Sequence, residues 1–142
     1  MLSLSDVSAA GDGLWVVDAG CPLHRPEDHV WVPEADVAVV VVRQSTGGPR
    51  LVATRVERRA HLVRRLASVV PSITVAVVGR RPFHPDDIGT HLLAEAGGTG
   101  TVIAVPEDPR AATLLAGRTP GGVRRWRRTG LARAFGSWTV PS

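Results

Sequence analysis

Each apolar run of this sequence that is typical of a buried strand ends at a polar residue, a glycine or a proline. The run at residues 14–17 ends at Asp18, and three later runs end at Gln44, Gly79 and Pro106. In an open parallel sheet, ligands bind beyond the carboxyl ends of the strands. A carboxylate such as Asp18 suits the hard cation Mg²⁺, which many phosphate-binding enzymes hold through its water shell at this point. The competing interpretation of Asp18 is a structural loop or cap residue.

Cys21, His24 and His29 lie in a proline-rich segment, and their side chains are of the types that bind zinc. The set lacks a clear fourth ligand, although Asp28 or His84 could supply one. A cysteine–histidine nucleophile pair is disfavoured, because no third residue that would orient the histidine is evident. The pattern therefore favours an ordinary loop over a metal site.

The densest positive charge lies at residues 124–128, where Arg124, Arg125, Arg127 and Arg128 surround a tryptophan. Arginine bonds phosphate through two N–H groups, and tryptophan stacks or sits at a membrane interface. The segment therefore predicts contact with a DNA backbone or with an anionic lipid surface. The competing interpretation is a solvated helix face with the tryptophan anchored in the core.

The composition excludes several kinds of chemistry. All 17 basic residues are arginine, and 13 acidic residues leave a formal net charge of +4. The absence of lysine excludes a lysine Schiff base, a lysine general base and a phosphate-loop lysine. The length of 142 residues predicts a single domain, residues 1–142. No apolar run has the length of a membrane span, no signal-peptide pattern is evident, and the single cysteine is typical of a reducing compartment, so a cytoplasmic location is expected.

The elements that must position these residues alternate along the chain. Valine-rich runs without polar alternation predict strands that are parallel and buried on both faces. They lie near residues 14–18, 37–43, 73–79 and 101–106. Helices are predicted after Pro49, from Pro85 and after Asp108, because proline suits the first helical position and aspartate caps helices. A basic helix is predicted within residues 119–142, at about 123–138. The expected fold class is α/β: three-layer, with a mostly parallel sheet covered by helices.

The order of these pieces, from residue 14 to residue 138, resembles the C-terminal part of the MinD/ParA family of P-loop ATPases. These proteins place or segregate division sites, chromosomes, plasmids and pili. WVVDAG at residues 15–20 resembles the Walker B strand and the loop after it, and residues 35–45 resemble the alanine–aspartate, valine-rich strand and polar turn. Residues 75–83 resemble the strand whose end flanks adenine. VIAVPED at residues 102–108 resembles the last strand and its Pro-x-Asp turn.

The resemblance implies a P-loop NTPase-like fold with a site for ATP and Mg²⁺. To that site it assigns Asp18, with Mg²⁺ held through water, and Gly79, Arg80, Pro106 and Asp108. The sequence also departs from the family. Only 13 residues precede the Walker B-like strand, and none forms the glycine-rich lysine loop that cradles phosphates and offsets transition-state charge. Gly79 stands where many members carry an asparagine that reads adenine. The implied fold is therefore incomplete.

Three functions agree with these observations. The leading one is a MinD/ParA-like partitioning or positioning protein that acts as a binding or regulatory module without independent ATPase activity. The second is an ATPase whose phosphate loop comes from another chain or from an N-terminal extension, which would complete a site for ATP and Mg²⁺. The third is a basic nucleic-acid-associated protein on an ATPase-like scaffold. A protein partner or a homo-oligomer is expected, because a sheet that lacks an internal strand exposes an apolar edge.

Overall fold

The computed structural model describes residues 32–44, 47–115 and 127–136. They contain an open sheet of three parallel strands in the order β1–β2–β3. The strands are β1 (Val37–Arg43), β2 (Ser72–Val78) and β3 (Thr101–Val105). These bounds confirm three of the predicted strands and their parallel direction, while the run at residues 14–18 lies outside the described residues.

Helices connect the strands, and the first three of those described begin at a proline. They are α1 (Pro49–Leu66), α2 (Pro85–Ala94), α3 (Pro109–Leu115) and α4 (Gly130–Gly136). The fixed φ of proline suits the first helical turn, where no internal N–H bond is lost. Because α1 and α2 each join one parallel strand to the next, the described chain is an α/β fold built from β–α–β crossovers.

The main core lies between one face of the sheet and helices α1 and α2. The strand register places Val40 beside Val75 and Val42 beside Val77, and all four are buried. The helices contribute buried residues to the same cluster, among them Val52, Val56, Val63, Ile88 and Leu92. Burial of these branched side chains stabilises the strands from this face.

Helix α4 covers the opposite face of the sheet at β3. Leu131 and Phe135 pack against a smaller cluster of Ala76, Ile103 and Val105. Helices therefore lie on both faces of the sheet, as the three-layer prediction requires. No helix in the described parts of the chain is long and apolar enough to cross a membrane.

The C-terminal helix begins later than the sequence predicts. Arg127 and Arg128 lie in a turn, and the helix starts at Gly130. Thr129 caps it, because its hydroxyl accepts a hydrogen bond from the N–H of Ala132 at 3.1 Å. The two described arginines thus precede the helix and do not lie along its face. The rest of the predicted segment, residues 119–126 and 137–142, lies outside the described residues.

Strand β1 forms one edge of the described sheet and leaves apolar side chains exposed, so the prediction that this run is buried on both faces is wrong. Val39 is 44% exposed and Val41 is 51% exposed. Both lie on the face opposite α1, since side chains alternate along a strand and Val40 and Val42 are buried in the main core.

Candidate functional site

The side chain of Gln44 ties together the carboxyl ends of β1 and β2. It directly follows β1 and is 1% exposed. Its Nε2 donates to the carbonyl oxygens of Gly79 and Phe83, each at 3.1 Å, and its Oε1 accepts from the N–H of Phe83 at 3.0 Å. An amide is suited to this place because it offers both donors and an acceptor, and a buried polar group must be satisfied. One side chain thereby fixes both ends of the loop at residues 79–83.

The loop after β2 begins with a backbone conformation that favours glycine. Gly79 has a φ of +92°, and its N–H donates to the carbonyl of Val105 at 2.9 Å. Arg80 and Arg81 follow with exposed side chains, and Phe83 is 37% exposed. The loop therefore presents two cations and an aromatic ring to solvent from a backbone that is held at both ends.

Asp108 joins the end of β3 to two helices. Its Oδ1 accepts from the N–H of Ala111 at 3.0 Å, which is the predicted cap of α3. Its Oδ2 accepts from the N–H of Gly130 at 2.6 Å and from that of Leu131 at 3.4 Å, at the start of α4. These backbone hydrogen bonds, above all the one from Ala111, hold the pKa of Asp108 below its ordinary value, although desolvation opposes them. The anionic carboxylate is thus the form that the fold stabilises.

A weak ion pair crosses the same edge of the sheet. Arg43, the last residue of β1, lies 3.7 Å from Glu107, which follows β3. Both side chains are largely in solvent, so the pair contributes less than about 1 kcal/mol. The pair nevertheless shows that the ends of β1 and β3 lie close together. The end of β2 lies there as well, because a Cβ placed on Gly79 would be 3.9 Å from the side chain of Glu107.

Four of the residues that the resemblance assigns to nucleotide lie together at this carboxyl edge. Gly79 and Arg80 follow β2, and Pro106 and Asp108 follow β3. Asp18, the predicted ligand of Mg²⁺ through water, lies outside the described residues. The assignment of these five residues to nucleotide stays a prediction.

The fold already uses most of the polar groups of those four residues. The N–H of Gly79 is bonded to Val105, Pro106 has no N–H, and both oxygens of Asp108 accept backbone hydrogen bonds. Arg80 is exposed and has no ion-pair partner among the described residues. An arginine can hold a phosphate, but it does not identify a base. In residues 32–44, 47–115 and 127–136, no group of three or more histidine, cysteine, aspartate or glutamate side chains could hold a metal ion.

The predicted phosphate-contact segment is described only in part. Arg127 and Arg128 are exposed and lie two or three residues before Gly130, which Asp108 holds at the carboxyl edge. Arg124 and Arg125 lie outside the described residues. The structure thus places one pair of the predicted arginines at the same edge as Arg80.

The proposed zinc ligands Cys21, His24 and His29, with the optional Asp28, also lie outside the described residues. The other optional ligand, His84, has a structural role: its Nδ1 accepts a hydrogen bond from the N–H of Asp86 at 3.3 Å and caps α2.

Sequence reasoning missed the role of Gln44 and the second role of Asp108. A signal for Gln44 was present, because a lone amide directly after a buried valine run must find partners for all its hydrogen-bonding atoms. No local signal predicts that Asp108 bonds to Gly130, since the two residues are 22 positions apart.

Comparison of the chain with protein-family models, with curated proteins and with solved structures gives no match.

Proposed function

We propose that this chain is a cytoplasmic partitioning or positioning protein similar to the MinD/ParA family, and that it acts as a binding or regulatory module without ATPase activity of its own. One observation carries the proposal: among the described residues at the carboxyl edge of the sheet, Gln44 and Asp108 are committed to structural hydrogen bonds. The amide of Gln44 is hydrogen-bonded to the loop after β2, and the two oxygens of Asp108 accept hydrogen bonds from the first residues of two helices. An ATPase must hold the phosphates through free backbone N–H groups as well as cations. Exposed cations such as Arg80 are present at this edge, but the N–H of Gly79 is already bonded to Val105.

The sequence supports the same proposal, because its 142 residues contain no lysine. Arginine carries the positive charge throughout and is a poor substitute where a compact ammonium must enter a phosphate loop. The parallel β1–β2–β3 sheet with crossover helices supports a P-loop NTPase-like scaffold, since the resemblance implies parallel strands in these three segments.

The exposed face of β1 supports the expectation of a protein partner or a second copy of the chain. Val39 and Val41 lie on β1, the edge strand of the described sheet. In the family, the phosphate-loop strand lies between this strand and the Walker B strand. Exposed apolar side chains on a strand at the edge of the described sheet favour association. The described arginines at the carboxyl edge, Arg127 and Arg128, support the further expectation of an anionic partner, which is DNA or a membrane surface.

The proposal is tested by measuring ATP hydrolysis and ATP binding by the full chain in the presence of Mg²⁺. We expect no turnover above that of the buffer and at most weak binding. Asp18→Ala and Arg80→Ala serve as matched variants, and we expect both to behave like the wild type. Turnover that disappears in Asp18→Ala would contradict the proposal and favour an ATPase whose phosphate loop is supplied from elsewhere.

A further inference from the structure

Helix α4 covers one face of the sheet without burying any residue of its own. None of its seven residues is buried, whereas α1 has six buried residues and α2 has five. Isolated helices shorter than about 12–15 residues are marginal in water, so a helix of this length depends on its contacts with the rest of the fold. α4 can therefore leave the sheet at a lower cost in buried apolar surface than α1 or α2 can.

Asp108 attaches the first turn of α4 to the end of β3. Its Oδ2 accepts from the N–H of Gly130 at 2.6 Å and from that of Leu131 at 3.4 Å. Hydrogen bonds to an ionised carboxylate are stronger than those between neutral groups. At the other end of the helix, a Cβ placed on Gly136 would meet no atom within 4 Å. The helix is thus held at its start and borders open space at its end.

The face beneath α4 continues onto the exposed face of β1. The strand register places Val41 beside Ala76 and Ala76 beside Ile103. Ala76 and Ile103 belong to the cluster against which Leu131 and Phe135 pack, while Val41 is exposed. These three residues, Val41, Ala76 and Ile103, form an apolar row across the strands. The row is covered by α4 at β2 and β3 and is open at β1.

A buried hydroxyl on the same face lacks a hydrogen bond. Thr74 lies two residues before Ala76 on β2, so the two side chains share one face of the sheet. Thr74 is buried, and its Oγ1 has no hydrogen-bond partner in the described parts of the chain. A buried polar group without a partner costs free energy, which water entering this face would recover. The covered form of the face therefore carries a cost that an open form relieves.

The main core does not depend on α4. Its residues come from the strands, from α1 and α2 and from the segments beside them, and none comes from α4. This core lies on the opposite face of the sheet, because Val75 belongs to it and the next residue, Ala76, belongs to the cluster beneath α4. α4 can therefore leave while the main core stays packed.

We propose that α4 is a releasable cover of the apolar row and that Asp108 is the residue that holds it closed. In the closed form, the row faces solvent at β1 alone. In the open form, the row faces solvent from β1 to β3 while the main core is intact, so the position of α4 sets how much apolar surface the chain presents. This inference goes beyond the proposed function and does not depend on it, because the cover is measured on the chain alone.

Thiol labelling at two neighbouring positions of β2 tests whether the face beneath α4 opens separately. Ala76→Cys places a thiol beneath α4, and Val75→Cys places one in the main core on the opposite face. Both are made together with Cys21→Ser, so that the introduced thiol is the only one in the chain. We expect a maleimide to label folded Ala76→Cys at least about tenfold faster than Val75→Cys, each relative to its rate in denaturant.

The comparison is conservative, because removing a buried methyl group makes Val75→Cys the more disruptive change and favours its exposure by global unfolding. If the two positions are labelled at equal relative rates, position 76 is reached only when the whole domain unfolds, and the proposal is overturned.

Hydrogen exchange of backbone amides in low concentrations of urea gives a second measurement. Global unfolding exposes much more surface than the release of one short helix, so exchange through it rises more steeply with urea. We expect the amides of residues 133–136 to exchange faster than that of Leu92 in α2, and with a weaker dependence on urea. Equal protection and an equal dependence on urea in α4 and α2 would overturn the proposal.

Asp108→Asn tests the residue that holds the cover closed. Asparagine keeps one oxygen to cap α3, but its NH₂ group cannot accept from Gly130. Release of α4 should therefore become about tenfold more frequent, with a matching acceleration of labelling at position 76 and of exchange in α4. Leu131→Ala removes apolar packing of α4 and should have the same effect, which keeps the test available if Asp108→Asn does not fold. Unchanged labelling at position 76 in folded Asp108→Asn would overturn the role of Asp108.

Val63→Ala is the control, because it weakens the main core without touching the cover. The main core is packed in both the closed and the open form, so the substitution should accelerate labelling at position 75 and leave that at position 76 unchanged. Acceleration of both positions by the same factor would show that they are exposed by one global event, and the cover would be refuted.

Discussion

Replacing Gln44 by methionine should destabilise the protein, because this change removes three hydrogen bonds while nearly conserving side-chain volume. The lost bonds are those to the carbonyl of Gly79 and to the carbonyl and N–H of Phe83. A typical intramolecular hydrogen bond contributes about 0.5–1.5 kcal/mol net, so three contribute about 3 kcal/mol. The groups of Phe83 lie in an exposed stretch and regain water, which lowers the expected loss to about 2–3 kcal/mol.

The free energy of unfolding is measured by urea denaturation followed by far-ultraviolet circular dichroism. A loss of 2–3 kcal/mol corresponds to a decrease in Tm of about 4–12 °C for a domain of this size. The reasoning about Gln44 is refuted if Gln44→Met unfolds within about 0.5 kcal/mol of the wild type, which is the range of an ordinary surface substitution.

Gln44→Glu separates hydrogen bonding from packing. The introduced carboxylate can accept from the N–H of Phe83 but faces the carbonyl oxygens of Gly79 and Phe83 without a proton to donate. Burial and these oxygens raise the pKa of the introduced carboxyl above its value in the unfolded chain. Its stability relative to the wild type is therefore best at low pH and is lost as the pH rises through the folded pKa. If Gln44→Glu is destabilised equally at low pH and at high pH, the assigned contacts of Gln44 are contradicted.

Three further predictions concern other parts of the fold. Gly89→Ala should cost about 1–3 kcal/mol of unfolding free energy in a denaturation experiment, because the added Cβ overlaps the side chain of Val102, whereas Gly136→Ala, which meets open space, should cost nothing. Val41→Glu should shift a dimer toward monomer in sedimentation at tens of micromolar, about the range of weak pairs, whereas Leu51→Glu, equally exposed on α1, should not. A wild type that sediments as a clean monomer contradicts self-association through β1. Folding lowers the pKa of Asp108, so the carboxylate stabilises the protein above the unfolded pKa of about 3.9, and this stabilisation is lost as the pH falls through the folded pKa. Asp108→Asn should therefore flatten the acid side of a curve of unfolding free energy against pH.

The regular elements could be predicted from the sequence because their signals are local. Unbroken apolar runs such as residues 37–42 predict parallel strands, and the structure places them in adjacent parallel strands. The further expectation of burial on both faces is wrong for β1, because Val39 and Val41 are exposed. Pro49, Pro85 and Pro109 mark helix starts through their fixed φ, which needs no knowledge of the rest of the chain.

The organisation of the candidate site could not be predicted in the same way, because it depends on contacts between distant residues. The side chain of Gln44 is hydrogen-bonded to Gly79 and Phe83, which lie 35 and 39 positions further along the chain. Asp108 accepts a hydrogen bond from Gly130. The late start of α4 has the same origin: Thr129 and Asp108 together cap a helix at Gly130, where the spacing of apolar residues alone predicts a longer helix. Asp108 is one of the residues that the resemblance assigns to nucleotide. Its sequence context does not distinguish a carboxylate that caps two α-helices from one that binds a ligand.

The proposed role of the protein is to position cellular cargo. The most direct measurement is fluorescence imaging of the full chain, fused to a fluorescent protein, in its native cells, together with imaging of chromosomes, division sites and pili after deletion of its gene. We predict that the fusion concentrates at defined places and that deletion misplaces at least one of these cargoes. Uniform fluorescence, with every cargo correctly placed in the deletion strain, would contradict the account.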